Sequence, residues 1–321
     1  MNENIIFYHK NCNDGFISSR VVNSKFKNSK NNLISLGYGS ELNKEIMNEL
    51  SKLQNPSDTN IIFVDFSPDE ETSKYFLTSL DKYKSIIIID HHKTFAEKFV
   101  KLFNEMYPNY TKTKIDIDSS FIIKLPPTLY FYFDVNMCGS TLAYKVFNEE
   151  NEIPMLLKHI EDRDIWLNKL QPYTDYIAEA ISCDEKFIED KFNNNNIYED
   201  ETLNELKIVG EHYSNYKKHL VDKTINDWEK HKTYISINGN KIPAINYQLF
   251  QSEIGSEVAK KVKEQICCIY NVNLFKNEVV ISFRSTNKTA RKYAELLGGG
   301  GHDDAAGAKI KVHEFKKLIL N

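Results

Sequence analysis

The chain has 321 residues, 41% hydrophobic and 12% aromatic, which is enough to bury a core in each of two domains of ordinary size. Its 45 acidic and 41 basic residues give a net charge of -4, which excludes the basic excess that drives strong sequence-independent binding to long duplexes. No run approaches the roughly 20 apolar residues of a membrane span, and the five cysteines have no paired spacing. We therefore expect a cytoplasmic protein with reduced thiols and no membrane partner.

Short apolar runs alternate with amphipathic stretches of helical length through the first hundred residues. The apolar runs predict buried strands at residues 5–8, 33–38, 60–66 and 85–90. Strands that are apolar on both faces and separated by helices are typical of a parallel sheet covered on both sides. Ligands of such a sheet bind beyond the carboxyl ends of its strands.

Residues 104–135 have three prolines and little periodicity, and we interpret them as an irregular insertion with one aromatic strand at 129–133. Its aromatic side chains fit either a cover over the site or an interface between subunits of a homodimer. They are Tyr107, Tyr110, Phe121, Tyr130 and Tyr132. Helices are predicted after the insertion, at residues 139–147 and 153–161.

A polar run at residues 191–200 is followed by apolar residues at helical spacing as far as Trp228, which predicts a long linking helix. Beyond it the pattern predicts strands at 234–237, 244–246, 266–275 and 278–284, and helices at 252–265 and 289–297. The predicted fold class is α/β. A parallel-sheet domain (1–190) is joined by a helical linker (191–233) to a smaller α/β domain (234–321).

Residues that can bind metal follow three of the four predicted amino-terminal strands, and others lie in later segments. The candidates are His9, Asp14, Asp65, Asp90, His91, His92, Asp162 and Asp164. Each alone is equally a helix cap or a buried polar residue, but clusters after successive strands should converge. Carboxylates and imidazoles suit Mn²⁺ or Mg²⁺. Two such ions would activate a water for phosphoester hydrolysis, and the sequence has neither a GxSxG elbow nor a P-loop.

Residues 298–307 read GGGGHDDAAG, a run in which glycine backbone N–H groups can form an anion nest beside His302. A tight turn with an exposed His302 is the alternative. Arg284, in the segment ISFRS, would bind phosphate as a fork donor or lie on the surface.

The chain resembles the DHH phosphoesterase superfamily with its DHHA1 domain, which includes oligoribonuclease-like and RecJ-like phosphodiesterases. The resemblance spans most of the chain and lies in the segments FYHKNCNDGFISS, FVDFSPDE, IIIIDHHKT, CGSTLAYKVF, IEDRDIW, and FRS followed by GGGGHDDAAG.

The resemblance implies a site for two metal ions, Mn²⁺ by preference, with Mg²⁺ or Co²⁺ as alternatives. Asp65 would bridge the ions, His9 would bind the first, and Asp14, His91 and Asp162 would bind the second. Asp90 would orient His91, and His92 would lie near the nucleophile or the scissile phosphate. The implied substrate ligands in the second domain are Arg284, Gly299, Gly300, Gly301 and His302.

Two assignments stay open at this point. The first motif is HxxCxDG, so that Cys12 stands where the family often has a carboxylate ligand; it is either a ligand or a buried thiol. The segment IEDRDIW offers Asp164 beside the preferred Asp162, and on a helix only one of the two would face the metals.

The leading functional hypothesis is a phosphodiesterase for short oligonucleotides or nucleotide phosphodiesters, with single-stranded oligonucleotides or small nucleotides as its substrate partners. A cyclic dinucleotide phosphodiesterase and a catalytically inactive nucleotide-binding module are the alternatives.

Overall fold

The computed structural model describes residues 3–39, 41–109, 117–125, 127–148 and 152–320. They form two compact units, Met1–Tyr213 and Ser214–Asn321.

The first unit contains six strands: β1 (Glu3–His9), β2 (Lys30–Leu36), β3 (Thr59–Val64), β4 (Ser85–Asp90), β5 (Ser120–Leu125) and β6 (Leu129–Asp134). They form one sheet in the order β2-β1-β3-β4-β6-β5. Neighbours from β2 to β6 pair in parallel, and β5 pairs antiparallel with β6 at one edge. The predicted parallel sheet and its first four strands are confirmed.

Helices cover both faces of this sheet. They are α1 (Asn13–Lys25), α2 (Leu42–Ser51), α3 (Glu70–Thr78), α4 (Lys93–Met106), α5 (Gly139–Phe147), α6 (Met155–Asp164), α7 (Tyr173–Cys183) and α8 (Glu185–Asn193). Alternate strand residues enter two separate cores: Ile6 and Ile62 pack with residues of α1 and α5–α8, and Phe7 and Phe63 with residues of α2–α4. The period-2 alternation of a strand explains why these strands are apolar on both faces.

The prediction of an irregular insertion at 104–135 is wrong for its described part. Besides the predicted aromatic strand, now β6, the segment contributes β5, so that the two form an antiparallel hairpin. Phe121 of β5 stacks on Phe133 with ring centroids 4.8 Å apart and thereby joins the core. Tyr110 lies outside the described residues.

The long helix α9 (Asp200–His231) begins in the first unit and ends in the second. The strands of the second unit are β7 (Tyr234–Ile237), β8 (Asn240–Asn246), β9 (Ile266–Asn273), β10 (Glu278–Ser285), β11 (Gly300–Gly301), β12 (Ala305–Lys311) and β13 (Ile319–Leu320). They form a seven-stranded sheet in the order β11-β12-β10-β9-β8-β7-β13. The unit's further helices are α10 (Gln251–Lys261), α11 (Ala290–Leu296) and α12 (Val312–Lys316). The mixed α/β class of both units is confirmed. Among the described helices none combines the length and apolar character of a membrane span.

Candidate metal centre

The predicted convergence of strand ends takes place at three adjacent strands. His9 is the last residue of β1, Asp65 directly follows β3, and Asp90 ends β4, with His91 and His92 next along the chain. Because β1, β3 and β4 are neighbours in parallel register, these side chains meet at one edge of the sheet.

Asp65 lies at the centre of this group and is only 1% exposed. Its Oδ2 is 3.6 Å from His9 Nδ1, and its Oδ1 is 3.1 Å from His91 Nε2 and 3.8 Å from His92 Nδ1. The backbone of Asp65 has a φ of 51°, a left-handed conformation that costs a non-glycine residue about 1 kcal/mol or more and is typical of functional sites. The two oxygens of one carboxylate therefore face two different sets of imidazoles.

Three groups of potential metal ligands include or adjoin this carboxylate. They are Asp65, Asp90, His91 and His92; His9, Cys12 and Asp65; and Asp14, His91 and Asp164. Within each group the donor atoms lie within 4.8 Å of one another. The structure thus brings together seven of the eight carboxylates and imidazoles named from the sequence.

Asp14 is held by the start of α5. Its Oδ2 accepts a hydrogen bond from the backbone N–H of Gly139 (2.6 Å), and its Oδ1 accepts one from Ser140 (2.9 Å). A Cβ on Gly139 would lie 2.5 Å from the Asp65 Cβ and 2.8 Å from Asp14 Oδ2, so only glycine fits. Gly139 is a site residue that the sequence reasoning missed, although the segment CGST contained the signal.

Asp90 orients a different histidine from the one predicted. Its Oδ1 is 2.7 Å from His92 Nδ1 and also accepts hydrogen bonds from the backbone N–H groups of His91 and His92. The Ser67 hydroxyl donates to its other oxygen. The expectation that Asp90 orients His91 is thus corrected: the ring that Asp90 holds is that of His92, because the ring of His91 is turned towards Asp65.

The preference for Asp162 over Asp164 is also corrected. Asp164 Oδ2 lies 3.4 Å from His91 Nε2. The Asp162 side chain instead bonds to the residues that follow α6. Asp162 accepts three hydrogen bonds from that segment, from the backbone N–H groups of Lys169 and Leu170 and from the hydroxyl of Thr174. The two aspartates are separated by about 200° around a helix, so only one can face the site.

Cys12 lies in the same group of potential metal ligands as His9 and Asp65. Burial and the negative charges of Asp65 and Asp14 raise the pKa of its thiol. A cation in the group would favour the thiolate, since a coordinated thiol is deprotonated.

The chemistry of the donor set fits divalent cations. Asp14, Asp65 and Asp164 bring three carboxylates together; burial, Asp65 and Asp164 raise the pKa of Asp14 to about 8. Burial opposes the charge on His91, but its hydrogen bond to Asp65 and the charge of Asp14 raise its pKa to about 10. The buried atoms His9 Nδ1 and Asp65 Oδ2 have no hydrogen-bond partner, which is a costly arrangement unless a cation lies between them.

The predicted substrate ligands of the second unit lie at one end of its sheet. Arg284 pairs across β10 and β12 with Ala305, whose carbonyl accepts a hydrogen bond from the backbone N–H of His302. Arg284 donates to the Ser252 hydroxyl (2.7 Å) and to the carbonyl of Phe283 (2.9 Å), which fixes its guanidinium. His302 is exposed.

The glycine run is only partly open to a ligand. A Cβ on Gly299 would lie 2.1 Å from the Gly307 carbonyl oxygen, and one on Gly301 would lie 2.7 Å from the Cα of Ala306, so both glycines permit close packing on β12. Gly300 faces open space. The run is therefore a packed strand as well as a candidate anion nest.

Comparison with known families identifies the second unit. Residues 250–321 match the family model of the DHHA1 domain. The DHHA1 part of the resemblance stated from the sequence is thus confirmed for these residues.

The chain also matches one viral protein and solved structures of bacterial proteins. An uncharacterized protein of Acanthamoeba polyphaga mimivirus is 26% identical over 322 residues, which cover 94% of this chain and 66% of that protein. A pGpG-specific phosphodiesterase of Vibrio cholerae is 10% identical, with a TM-score of 0.48 and coverage of 99% of this chain and 96% of the other. RecJ of Thermus thermophilus in complex with Mn²⁺ is 11% identical, with a TM-score of 0.43 and coverage of 98% and 50%.

Proposed function

We propose that the chain is a divalent-metal-dependent phosphodiesterase that hydrolyses short oligonucleotides or nucleotide phosphodiesters. The observation that carries the proposal is the buried carboxylate of Asp65, whose two oxygens face two different sets of donors. This arrangement suits a carboxylate that bridges two cations.

One cation would be held by His9 and Asp65, with Cys12 as a further donor, and the other by Asp65, Asp14, His91 and Asp164. Two bound cations would supply an activated water at neutral pH and a clamp on the phosphoryl oxygens. A thiol among the donors favours Mn²⁺ or Co²⁺ over Mg²⁺, because Mg²⁺ prefers oxygen ligands.

His92 is the group best suited to contact the scissile phosphate. Its side chain is 31% exposed, so it can reach a substrate, and Asp90 fixes its ring through Nδ1. Burial opposes a charge on His92, but the hydrogen bond and the charge of Asp90 outweigh that effect and raise its pKa. A positively charged His92 would donate a hydrogen bond to a phosphoryl oxygen and stabilise the negative charge that develops there.

The charge of the molecule favours short substrates. A net charge of -4 gives a long polyanion no general attraction, so binding must come from the cations and a few fixed donors. In the DHHA1 unit, Arg284 is the fork donor with a fixed orientation, and we assign to it, His302 and the glycines at 299–301 the binding of a substrate phosphate.

The test is hydrolysis by the purified full chain, with Mn²⁺ and then Mg²⁺, of RNA and DNA of two to about twenty nucleotides, cyclic dinucleotides and pyrophosphate. Asp65→Ala is the inactive control. We expect cleavage of dinucleotides or short oligonucleotides with Mn²⁺, at a rate that falls by at least about 10³-fold in the control because the ligand shared by both cations is gone.

Cleavage of cyclic dinucleotides alone would replace the proposed substrate class by the alternative one. Absence of turnover with every substrate, together with absence of Mn²⁺ binding, would contradict the proposal and indicate a nucleotide-binding module.

A further inference from the structure

A pocket opens beside the metal centre within the first unit. Its volume is about 630 Å³, within the range of roughly 300–1,000 Å³ that is usual for small-molecule sites. The turn at residues 11–13, the end of α6 and the start of α7 form its walls. Cys12, Asp14 and Asp164 belong both to this wall and to the metal-ligand groups. A molecule in the pocket would therefore lie next to the reacting phosphate.

An exposed tryptophan lines this pocket. Trp166 is 81% exposed, although an indole ring normally gains free energy by burial. Its backbone has a φ of 59°, a conformation that is strained for a bulky residue. The ring is thus presented to solvent at an energetic cost, which indicates a surface kept for a ligand.

The loop that carries Trp166 is held in place by Asp162. The Asp162 carboxylate accepts hydrogen bonds from the backbone N–H groups of Lys169 (2.7 Å) and Leu170 (3.2 Å), and its carbonyl accepts one from Asn168 (3.2 Å). In the segment IEDRDIW, one aspartate thus faces the metal centre, and the other holds the backbone that follows Trp166.

The pocket suits an uncharged ring better than a second phosphate. Among its lining residues the one side chain with a fixed positive charge is Arg163, which already pairs with Asp175 at 2.7 Å. The pocket lining therefore offers a second phosphate no fixed positive charge that lacks a partner. Inorganic polyphosphate is therefore a poor occupant.

Groups that can hydrogen-bond a heterocycle line the same pocket. The side-chain amides of Asn11 and Gln171 each offer a donor and an acceptor. Since Thr174 donates its hydroxyl proton to Asp162, His159 Nδ1 must be the donor to Thr174 (3.0 Å). The Nε2 of a neutral His159 is then an acceptor, and His159 is part of the pocket lining.

We propose that this pocket is a nucleobase subsite, in which the base of the nucleotide next to the scissile phosphate stacks on Trp166. Asn11, Gln171 and His159 contact the edge of the base. This inference rests on the proposed phosphodiester hydrolysis and names its substrate class: a nucleotide, selected against inorganic polyphosphate and other esters without a base.

Binding can be measured independently of catalysis. The chain has two tryptophans, and Trp228 is only 7% exposed, so a ligand at Trp166 should dominate any change in indole fluorescence. Titration of the full chain with adenosine 5′-monophosphate should quench the fluorescence saturably, and ribose 5-phosphate should not. In Trp166→Phe the quench should disappear, while Tyr173→Ala, which removes a half-exposed aromatic outside the pocket lining, should retain it.

Kinetics give the second measurement. Trp166→Ala should lower kcat/KM for a dinucleotide by roughly 10- to 100-fold, the usual effect of losing one base–aromatic stack, and Trp166→Phe should keep most of the activity. The value of kcat/KM for an abasic dinucleotide should be the same in Trp166→Ala and in the unchanged chain. The subsite would be overturned if Trp166→Ala lowered kcat/KM equally for the dinucleotide and the abasic dinucleotide, or if adenosine 5′-monophosphate did not quench the indole fluorescence. Absence of all hydrolysis with the quench intact would instead overturn the proposed function and leave the subsite standing.

Discussion

The positions of Asp14 and Asp65 depend on how closely the start of α5 approaches them. Gly139 lets the start of α5 contact both Asp14 and Asp65, and a Cβ there has no room. By contrast, a Cβ on Gly37 would meet nothing within 4 Å, and Gly37 has no left-handed φ. The two glycines therefore form a matched pair for mutagenesis.

We expect Gly139→Ala to lower the free energy of unfolding by about 1–3 kcal/mol, the usual cost of overpacking, and to weaken Mn²⁺ binding, because Asp14 and Asp65 must both move. Gly37→Ala should leave both properties unchanged. Thermal denaturation and calorimetric titration with Mn²⁺ measure the two effects. Equal behaviour of the two variants would contradict the packing described here.

The two aspartates of α6 have separate roles, so substituting each one should change a different property: Mn²⁺ binding for Asp164 and stability for Asp162. Asp164→Asn should weaken Mn²⁺ binding with little change in Tm, because Asp164 faces His91 and caps no backbone. Asp162→Asn should lower stability by about 1–3 kcal/mol, since it leaves buried N–H groups with a poorer acceptor, and should retain Mn²⁺ binding. The reverse pattern would restore Asp162 as the ligand.

At the scale of elements, the parts of the fold that were predicted correctly are those with a strong local pattern. The apolar runs at 5–8, 60–66 and 85–90 are buried on both faces, and their composition alone indicates central parallel strands. The edge strand β5 is exposed at alternate positions and was missed, since the prolines around it suggested irregular structure. The choice between Asp162 and Asp164 depended on the rotational phase of α6, which packing sets and sequence spacing does not.

The buried His159, where α6 packs on α7, predicts how the stability of the fold depends on pH. His159, on α6, is 4% exposed, and burial together with the charge of Lys207 lowers its pKa. A lowered pKa means that the unfolded chain binds the proton more readily, so the stability contributed by neutral His159 is lost as pH falls through the unfolded value of about 6.5.

His159→Asn keeps a donor near the position of Nδ1 and removes the titration. The free energy of unfolding of the unchanged chain, minus that of the variant, should therefore decrease between pH 7.5 and 5.5. Urea unfolding at the two pH values measures this difference. A difference that is constant or grows towards acid pH would show that His159 is not held neutral in the folded state.

At the scale of the whole molecule, the proposed metal ligands belong to the first unit, and the proposed phosphate donors lie in the second unit, within the residues that match the DHHA1 domain. Arg284→Ala should therefore raise KM for a dinucleotide and leave Mn²⁺ binding intact, and Arg284→Lys should restore little, because a lysine lacks the fork geometry. Arg291→Ala is the control, since Arg291 is exposed and pairs only locally with Glu295. Equal KM values in Arg284→Ala and Arg291→Ala would remove Arg284 from the substrate site.

The proposed chemistry depends on Asp65 as a carboxylate that two cations would share. The most direct test is to titrate the full chain with Mn²⁺, count the bound ions, and record the electron paramagnetic resonance spectrum. We predict two Mn²⁺ ions per chain with a spin-coupled spectrum, and loss of both the coupling and at least one ion in Asp65→Ala. A single uncoupled ion, or a spectrum that is the same in Asp65→Ala, would contradict the account.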